Sequence, residues 1–329
     1  SLEQCSSEIT ARYKARLSQG DSLTDLTGGF GIDCSFLATG FKSATYVERQ
    51  EELCEIAAHN FPILNLNHIN VRNEDGVAYL QTMSPVDCIF LDPARRNEHG
   101  GKTVSIADCE PNVAELEDLL LSKASRIMIK LSPMLDLSLA LKELKHTQEV
   151  HILSVNNECK ELLILLGQTS PAEITIHCVN LFTKGTQEEQ HFVFTREQEQ
   201  RSQCTYTDSL GDYLYEPNAS LLKAGAFRSI AAAYPVRKLH PNSHLYTSDT
   251  FIENFPGRIF RIVNQCSFNK KEVKENLADL KKANVTVRNF PATVAELRKR
   301  LHLTEGGDTY LFASTLNNGQ KVIIRCEKV

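Results

Sequence analysis

DLTGGFGID, residues 25–33, is the stretch on which the reading of the fold turns. A short apolar run, residues 22–26, carries an acid, Asp25, just before its end; Gly28, Gly29 and Gly31 follow, and a second acid, Asp33, closes the stretch. Residues 32–38 can then form a helix. A strand that ends in glycines and leads into a helix lets a ligand approach the backbone closely.

Two nucleotide readings fail on particular residues. A phosphate-cradling loop of the form GxxxxGK[ST] needs a lysine, and none follows Gly31. A dinucleotide fingerprint needs GxGxxG, and Cys34 stands where its third glycine belongs. A pyrophosphate would also lie between the charges of Asp25 and Asp33.

Outward from this loop the chain alternates strand and helix. Strand-like runs occur at 44–47, 68–71, 86–91 (VDCIFL), 125–131 and 150–155. Helical segments are expected at 51–60, 113–121, 135–144 and 161–166, and an antiparallel pair at 174–181 and 191–195. Repeated strand–helix units predict an α/β fold, a doubly wound Rossmann-like parallel sheet with helices on both faces. Right-handed crossovers bring the C-terminal strand ends to one edge, where ligands bind. Acids collect there: Asp25 after the first strand, Glu48 after the second, Asp75 after the third and Asp92 after the fourth.

A cationic cofactor without phosphate suits that edge. S-adenosylmethionine carries a sulfonium, an α-amino group, a ribose diol and an adenine. Asp25 attracts the ammonium, Glu48 accepts from the ribose hydroxyls, and Asp75 accepts from the adenine amino group. DLTGGFGID, Glu48, the Asp75 loop and LDPARR (91–96) together resemble the class I S-adenosylmethionine-dependent methyltransferases over about residues 20–195. The resemblance implies a cofactor site of Asp25, Thr27, Gly29, Gly31, Glu48 and Asp75. Thr27 stands in place of the family's first glycine, as in some ribosomal-RNA guanine methyltransferases.

The family carries Asp/Asn-Pro-Pro-aromatic after the fourth strand in many amino-group methyltransferases. Here Asp92-Pro93-Ala94-Arg95-Arg96 occupies that position, so the resemblance makes Asp92, Pro93 and Arg95 the catalytic candidates. Asp92 would hold the N–H groups of a base drawn out of its stack. Ala94 and Arg95 depart from the pattern, and Arg96, Lys130 and Ser132 are candidates for substrate contact. Residues 97–102 (NEHGGK) read as a polar substrate loop.

The charge is uneven. The chain is −5 overall, yet residues 258–329 hold 14 Lys+Arg against 7 Asp+Glu, a balance of +7, leaving −12 elsewhere. A basic module suggests a polyanionic partner. Its elements read β-α-β-α-β-β, with Asn269 capping one helix, Thr293 and Glu296 forming a capping box, and Asn318-Gly319 marking a hairpin. Joined to a methyltransferase sheet, this small α/β module resembles a THUMP-like or ferredoxin-like domain. That resemblance implies RNA, a tRNA or an rRNA, as partner.

Four segments result: an N-terminal helical segment at 1–20, a cofactor domain at 21–200, a connecting segment at 201–257 and the basic module at 258–329. Within the connection, residues 218–233 read as one helix capped by Asn218, which could cover the sheet. The expected activity is methylation of an exocyclic amino group of an RNA base. The alternatives are a noncatalytic RNA-binding protein that keeps a cofactor fold, and a methyltransferase for proteins or small molecules.

No stretch approaches the ~20 apolar residues of a membrane span. No secretory leader is visible, and the chain opens on Ser1-Leu2, as a fragment or processed chain does. The ten cysteines form no CxxC, which points to reduced buried thiols in a cytoplasmic protein and to no metal site.

Overall fold

The computed structural model describes residues 5–96 and 105–329. The substrate loop expected at 97–102 lies outside the described residues. Two compact units divide the chain, Ser1–Arg196 and Glu197–Val329.

The first unit opens with α1 (Glu8–Arg16). The strand–helix rhythm follows as β1 (Gly20–Asp25), α2 (Ile32–Leu37), β2 (Phe41–Glu48), α3 (Glu51–Ile63), β3 (Ile69–Asn73), α4 (Gly76–Thr82) and β4 (Val86–Leu91). Two short antiparallel pieces, β5 (Ala94–Arg95) and β6 (Cys109–Glu110), precede α5 (Val113–Lys123). Then come β7 (Ala124–Leu131), α6 (Leu137–Glu143), β8 (Thr147–Val155), β9 (Glu158–Gly167), β10 (Thr175–Leu181) and β11 (Glu189–Thr195).

These nine long strands form one sheet in the order β11-β10-β8-β9-β7-β4-β1-β2-β3. β1 lies parallel between β2 and β4, so the ends bearing Asp25, Glu48 and Asp92 share an edge. The sheet is mixed rather than wholly parallel. β9 pairs antiparallel with both β7 and β8, and β11 pairs antiparallel with β10.

Residues 161–166, expected as helix, are therefore strand. Leu162, Leu163, Ile164 and Leu166 are all buried, because helices or other strands cover both faces there. A run buried on both faces shows no alternation, so its period does not separate strand from helix. α4 has no counterpart among the expected helices; Asp75 starts it by accepting from the N–H groups of Val77 and Ala78.

The second unit follows α7 (Arg196–Arg201), which crosses the division. It contains β12 (Tyr213–Pro217), α8 (Ala219–Ala224), α9 (Phe227–Ala233), β13 (Arg237–Lys238) and β14 (Tyr246–Ser248). It continues with β15 (Gly257–Ser267), α10 (Lys270–Leu277), β16 (Asn284–Val287), α11 (Val294–Leu301), β17 (Thr309–Thr315) and β18 (Lys321–Lys328). Its seven-stranded sheet runs β13-β14-β12-β15-β18-β17-β16.

Residues 201–257 thus hold strands of their own, and β12 pairs along β15. The single helix expected at 218–233 is two, because Gly225 takes a left-handed φ of 72° and ends α8. The remaining caps match the sequence: Asn269 caps α10, and Thr293 with Glu296 forms the capping box of α11. Leu277 of α10 and Leu297 of α11 pack with Leu311 and Ala313 on one face of β17, while Phe312 packs on the other. All ten cysteines are free. Among the described residues no helix is long and apolar enough to cross a membrane.

Candidate active site

A cavity of about 530 Å³ opens over the C-terminal ends of β1, β2 and β4. That is within the usual range for a small-molecule site, roughly 300–1,000 Å³. Asp25, Thr27, Gly29, Gly31, Glu48, Asp75, Asp92 and Arg96 all line it. The α/β crossovers therefore bring four acids, 67 residues apart in sequence from first to last, to one ligand-sized space.

The glycine loop is shaped by close approach and by φ. A Cβ on Gly28 would come within 2.3 Å of the Tyr46 ring, so only glycine fits there. Gly31 caps α2 with a φ of 80°, a left-handed value that costs a side-chain-bearing residue strain. Glu48 holds the loop from the next strand: Oε2 accepts from the Gly29 N–H at 2.9 Å and Oε1 from the Gln50 N–H at 2.9 Å. The Tyr46 hydroxyl donates to the Gly29 carbonyl.

Thr27 ties two strand ends together. Its N–H donates to Asp25 Oδ1 at 2.9 Å, and its hydroxyl accepts from the Asp92 N–H at 2.7 Å. A glycine at 27 could not make the second contact, which gives a physical reason for the departure from the family pattern. Asp25 is 1 % exposed. Burial raises its carboxyl to about 8, against the lowering pull of the Thr27 N–H and with the charges of Asp33 and Asp92 adding to the rise.

Beneath Asp92 runs a chain of ion pairs that sequence reasoning missed. Lys130 Nζ lies 3.0 Å from Asp92 Oδ2 and 3.9 Å from Asp33 Oδ2. Lys14, fully buried, lies 3.0 Å from Asp33 Oδ1 and 2.6 Å from Glu161 Oε2. Ser6 accepts from Lys14 at 2.8 Å and donates to Asp33 at 2.9 Å. Burial works against the Lys130 ammonium, yet Asp92, Asp33 and Glu161 together push it up to about 12. The Asp92 carboxyl is raised by burial, partly offset by Lys130. The chain sets three acids, Asp33, Asp92 and Glu161, against two lysines. The floor of the cavity therefore favours a cation.

The remaining sequence candidates fall elsewhere. Pro93 is buried and Arg95 is exposed on β5, and neither lines the cavity. The backbone of Arg95 pairs with that of Cys109 in the β5–β6 ladder. Lys130 does not line the cavity but donates to Asp92 Oδ2 at 3.0 Å, and the Ser132 hydroxyl accepts from the Met134 N–H at 3.3 Å. Phe30, Leu53, Val77, Pro111 and Leu116 supply apolar wall, and all but Phe30 lie outside the motifs read from the sequence. Only Phe30 carried a signal, as a large residue within the glycine loop.

Residues 213–256 match a ferredoxin-like domain model, and residues 257–328 match a THUMP domain-like model. No curated protein matches the chain. A solved structure from Porphyromonas gingivalis W83, described as a "putative methyltransferase", is 38 % identical, with a TM-score of 0.91 over 100 % of this chain and 82 % of that one. An rRNA methylase from Streptococcus thermophilus is 14 % identical, with a TM-score of 0.35 over 48 % of this chain and 93 % of its own. A "putative methyltransferase" from Streptococcus mutans in complex with SAH is 14 % identical, with a TM-score of 0.34 over 49 % and 96 %. The last two likenesses are too distant to carry an argument. The likeness to the Porphyromonas gingivalis protein spans the whole chain, and the chain belongs to that protein's methyltransferase family, with a THUMP-like C-terminal domain.

Proposed function

We propose that the protein is a class I S-adenosylmethionine-dependent methyltransferase that acts on an exocyclic amino group of an RNA base. The observation that carries this reading is the meeting of Asp25, Glu48, Asp75 and Asp92 around one cavity beside the glycine loop. The excess of carboxylate below the cavity supports a cationic cofactor over a phosphate-bearing one.

S-adenosylmethionine, when bound, supplies an electrophilic methyl group on a sulfonium. Asp25 faces the cofactor's ammonium, and the Gly28–Gly31 turn gives its methionine part a close backbone surface. Both oxygens of Glu48 already accept backbone N–H groups, which fixes the carboxylate for the ribose hydroxyls. Asp75 Oδ1 is engaged in capping α4; the other oxygen is the acceptor offered to the adenine amino group. Asp92 accepts from the substrate N–H and aims the nitrogen lone pair, and Lys130 holds the Asp92 side chain in place. Methyl transfer needs mainly such positioning.

The exposed bases of α10 and α11, Lys270, Lys271, Lys274, Lys299 and Arg300, with Lys281 and Lys282 nearby, support a role in gripping the RNA backbone. We further assign residues 21–200 to cofactor binding and 258–329 to RNA presentation. The exposed position of Arg95 favours a second reading, an RNA-binding protein that keeps the cofactor fold without base methylation. Labelled methyl transfer onto total RNA from cells lacking the protein separates them. Label in RNA that is lost with Asp92→Ala supports the enzyme reading. Label confined to protein or small molecules, or no label, rejects it.

A further inference from the structure

Outside the cavity, β8 and β10 carry a second cluster of chemistry-bearing side chains. Glu149 and His151 alternate along β8 on one face, and His177 of β10 is paired in register with His151. Glu149 Oε1 lies 3.2 Å from His177 Nε2 and 3.6 Å from His151 Nε2. The three donor atoms all fall within 4.8 Å of one another. Tetrahedral coordination at zinc-type bond lengths separates neighbouring donors by about 3.3 Å. None of these residues lines the cavity.

The far sides of both rings are already held. His151 Nδ1 is 2.7 Å from the Tyr13 hydroxyl, and His177 Nδ1 is 2.9 Å from His191 Nε2. Metal-binding histidines commonly donate the second ring N–H to such a partner, which fixes the tautomer and the ring. His177 Nε2 now lies within hydrogen-bond distance of the Glu149 carboxylate, which only accepts, so this nitrogen donates and gives up its proton when an ion binds. His151 is 2 % exposed, and its Nε2 is buried with no hydrogen-bond partner. This buried, unpartnered nitrogen 3.6 Å from a carboxylate oxygen leaves room for a ligand between them.

We propose that Glu149, His151 and His177 bind a divalent transition-metal ion of the zinc class, with Tyr13 as the outer partner that orients the His151 imidazole. Neutral imidazole and carboxylate suit zinc and its neighbours better than calcium or magnesium. The two rings now stack in parallel, 4.2 Å between centroids. Both lone pairs meet one ion only when a ring turns; His177, the less buried of the two, turns and gives up its contact with His191. The ion then fastens β8 to β10 and, through Tyr13, to α1. The cysteine spacing gives no hint of this site, because its ligands depend on the register of two strands.

The test is a Co²⁺ titration of untagged, EDTA-treated full-length protein, read by visible d–d absorption, with Zn²⁺ added afterwards as competitor. About one equivalent of Co²⁺ is expected, displaced by Zn²⁺. His177→Gln and Glu149→Gln should each abolish stoichiometric binding while leaving the circular dichroism spectrum intact. Tyr13→Phe should weaken binding by about 10–100-fold. Asp92→Asn, in the cavity, should leave the titration unchanged. No Co²⁺ binding by the wild type, binding that survives both ligand substitutions, or binding lost in Asp92→Asn would overturn the proposal.

Discussion

Lys14 in the first unit is wholly buried and touches two carboxylates, whereas Lys271 and Lys274 in the second stand open to solvent on α10. The cavity floor and the α10–α11 surface use charge in opposite ways. Around the cavity, charges are desolvated and spaced along a chain from Glu161 to Asp92, so each one fixes its neighbours. On α10 and α11 the charges are exposed and act as a sum, which salt screens. A single substitution should therefore be costly in the chain below the cavity and slight on α10 and α11.

Asp25 should give the largest pH effect. Folded, its carboxyl stays protonated up to about 8, while in the unfolded chain it ionises near about 4. Between those values the folded state binds more protons, so this contribution to stability declines as pH rises. Chemical unfolding of wild type and Asp25→Asn across that range should show the difference shifting in favour of the variant at higher pH. A cationic ligand beside Asp25 favours its ionised form, so cofactor binding below about pH 8 should release a proton. Calorimetry in buffers of different ionisation enthalpy reads that release, and Asp25→Asn should remove it.

Glu161→Gln should come next. It leaves Lys14 buried with one carboxylate fewer, and breaking such a pair typically costs about 3–5 kcal/mol. A urea midpoint close to that of wild type would show that the buried chain is not a stability element. Thr27→Val should be smaller, about 1–3 kcal/mol, since it strips the hydroxyl that accepts from the Asp92 N–H. Thr27→Ser should restore both stability and methyl transfer. Lys271→Glu should change stability by no more than about 0.5 kcal/mol. Its effect should instead appear in a gel shift with bulk tRNA and rRNA, as a lower salt slope, by roughly 0.7–0.9 for each phosphate no longer neutralised. An unchanged slope would remove α10 from the RNA-binding surface.

The same contrast explains what is legible in the sequence. Strand ends, glycines and caps are local, so Asp25, Gly31, Glu48, Asn269 and the Thr293–Glu296 box can be placed from neighbouring residues alone. β9 passes for a helix because burial on both faces erases its period. The helix after Asn218 reads as unbroken because a single Gly225 does not reveal its φ. Lys14, Asp33, Lys130 and Glu161 are brought together by sheet order, and no spacing along the chain announces them. His151 and His177 are hidden for the same reason, since β9 separates their strands in sequence but not in the sheet.

The most direct measurement is calorimetric titration of the full-length protein with S-adenosylmethionine, beside Glu48→Gln. We expect one equivalent bound in the micromolar range, weakened about tenfold or more when Glu48 loses its charge. Absence of binding, or equal affinity in wild type and Glu48→Gln, would show that the strand-end acids do not form a cofactor site.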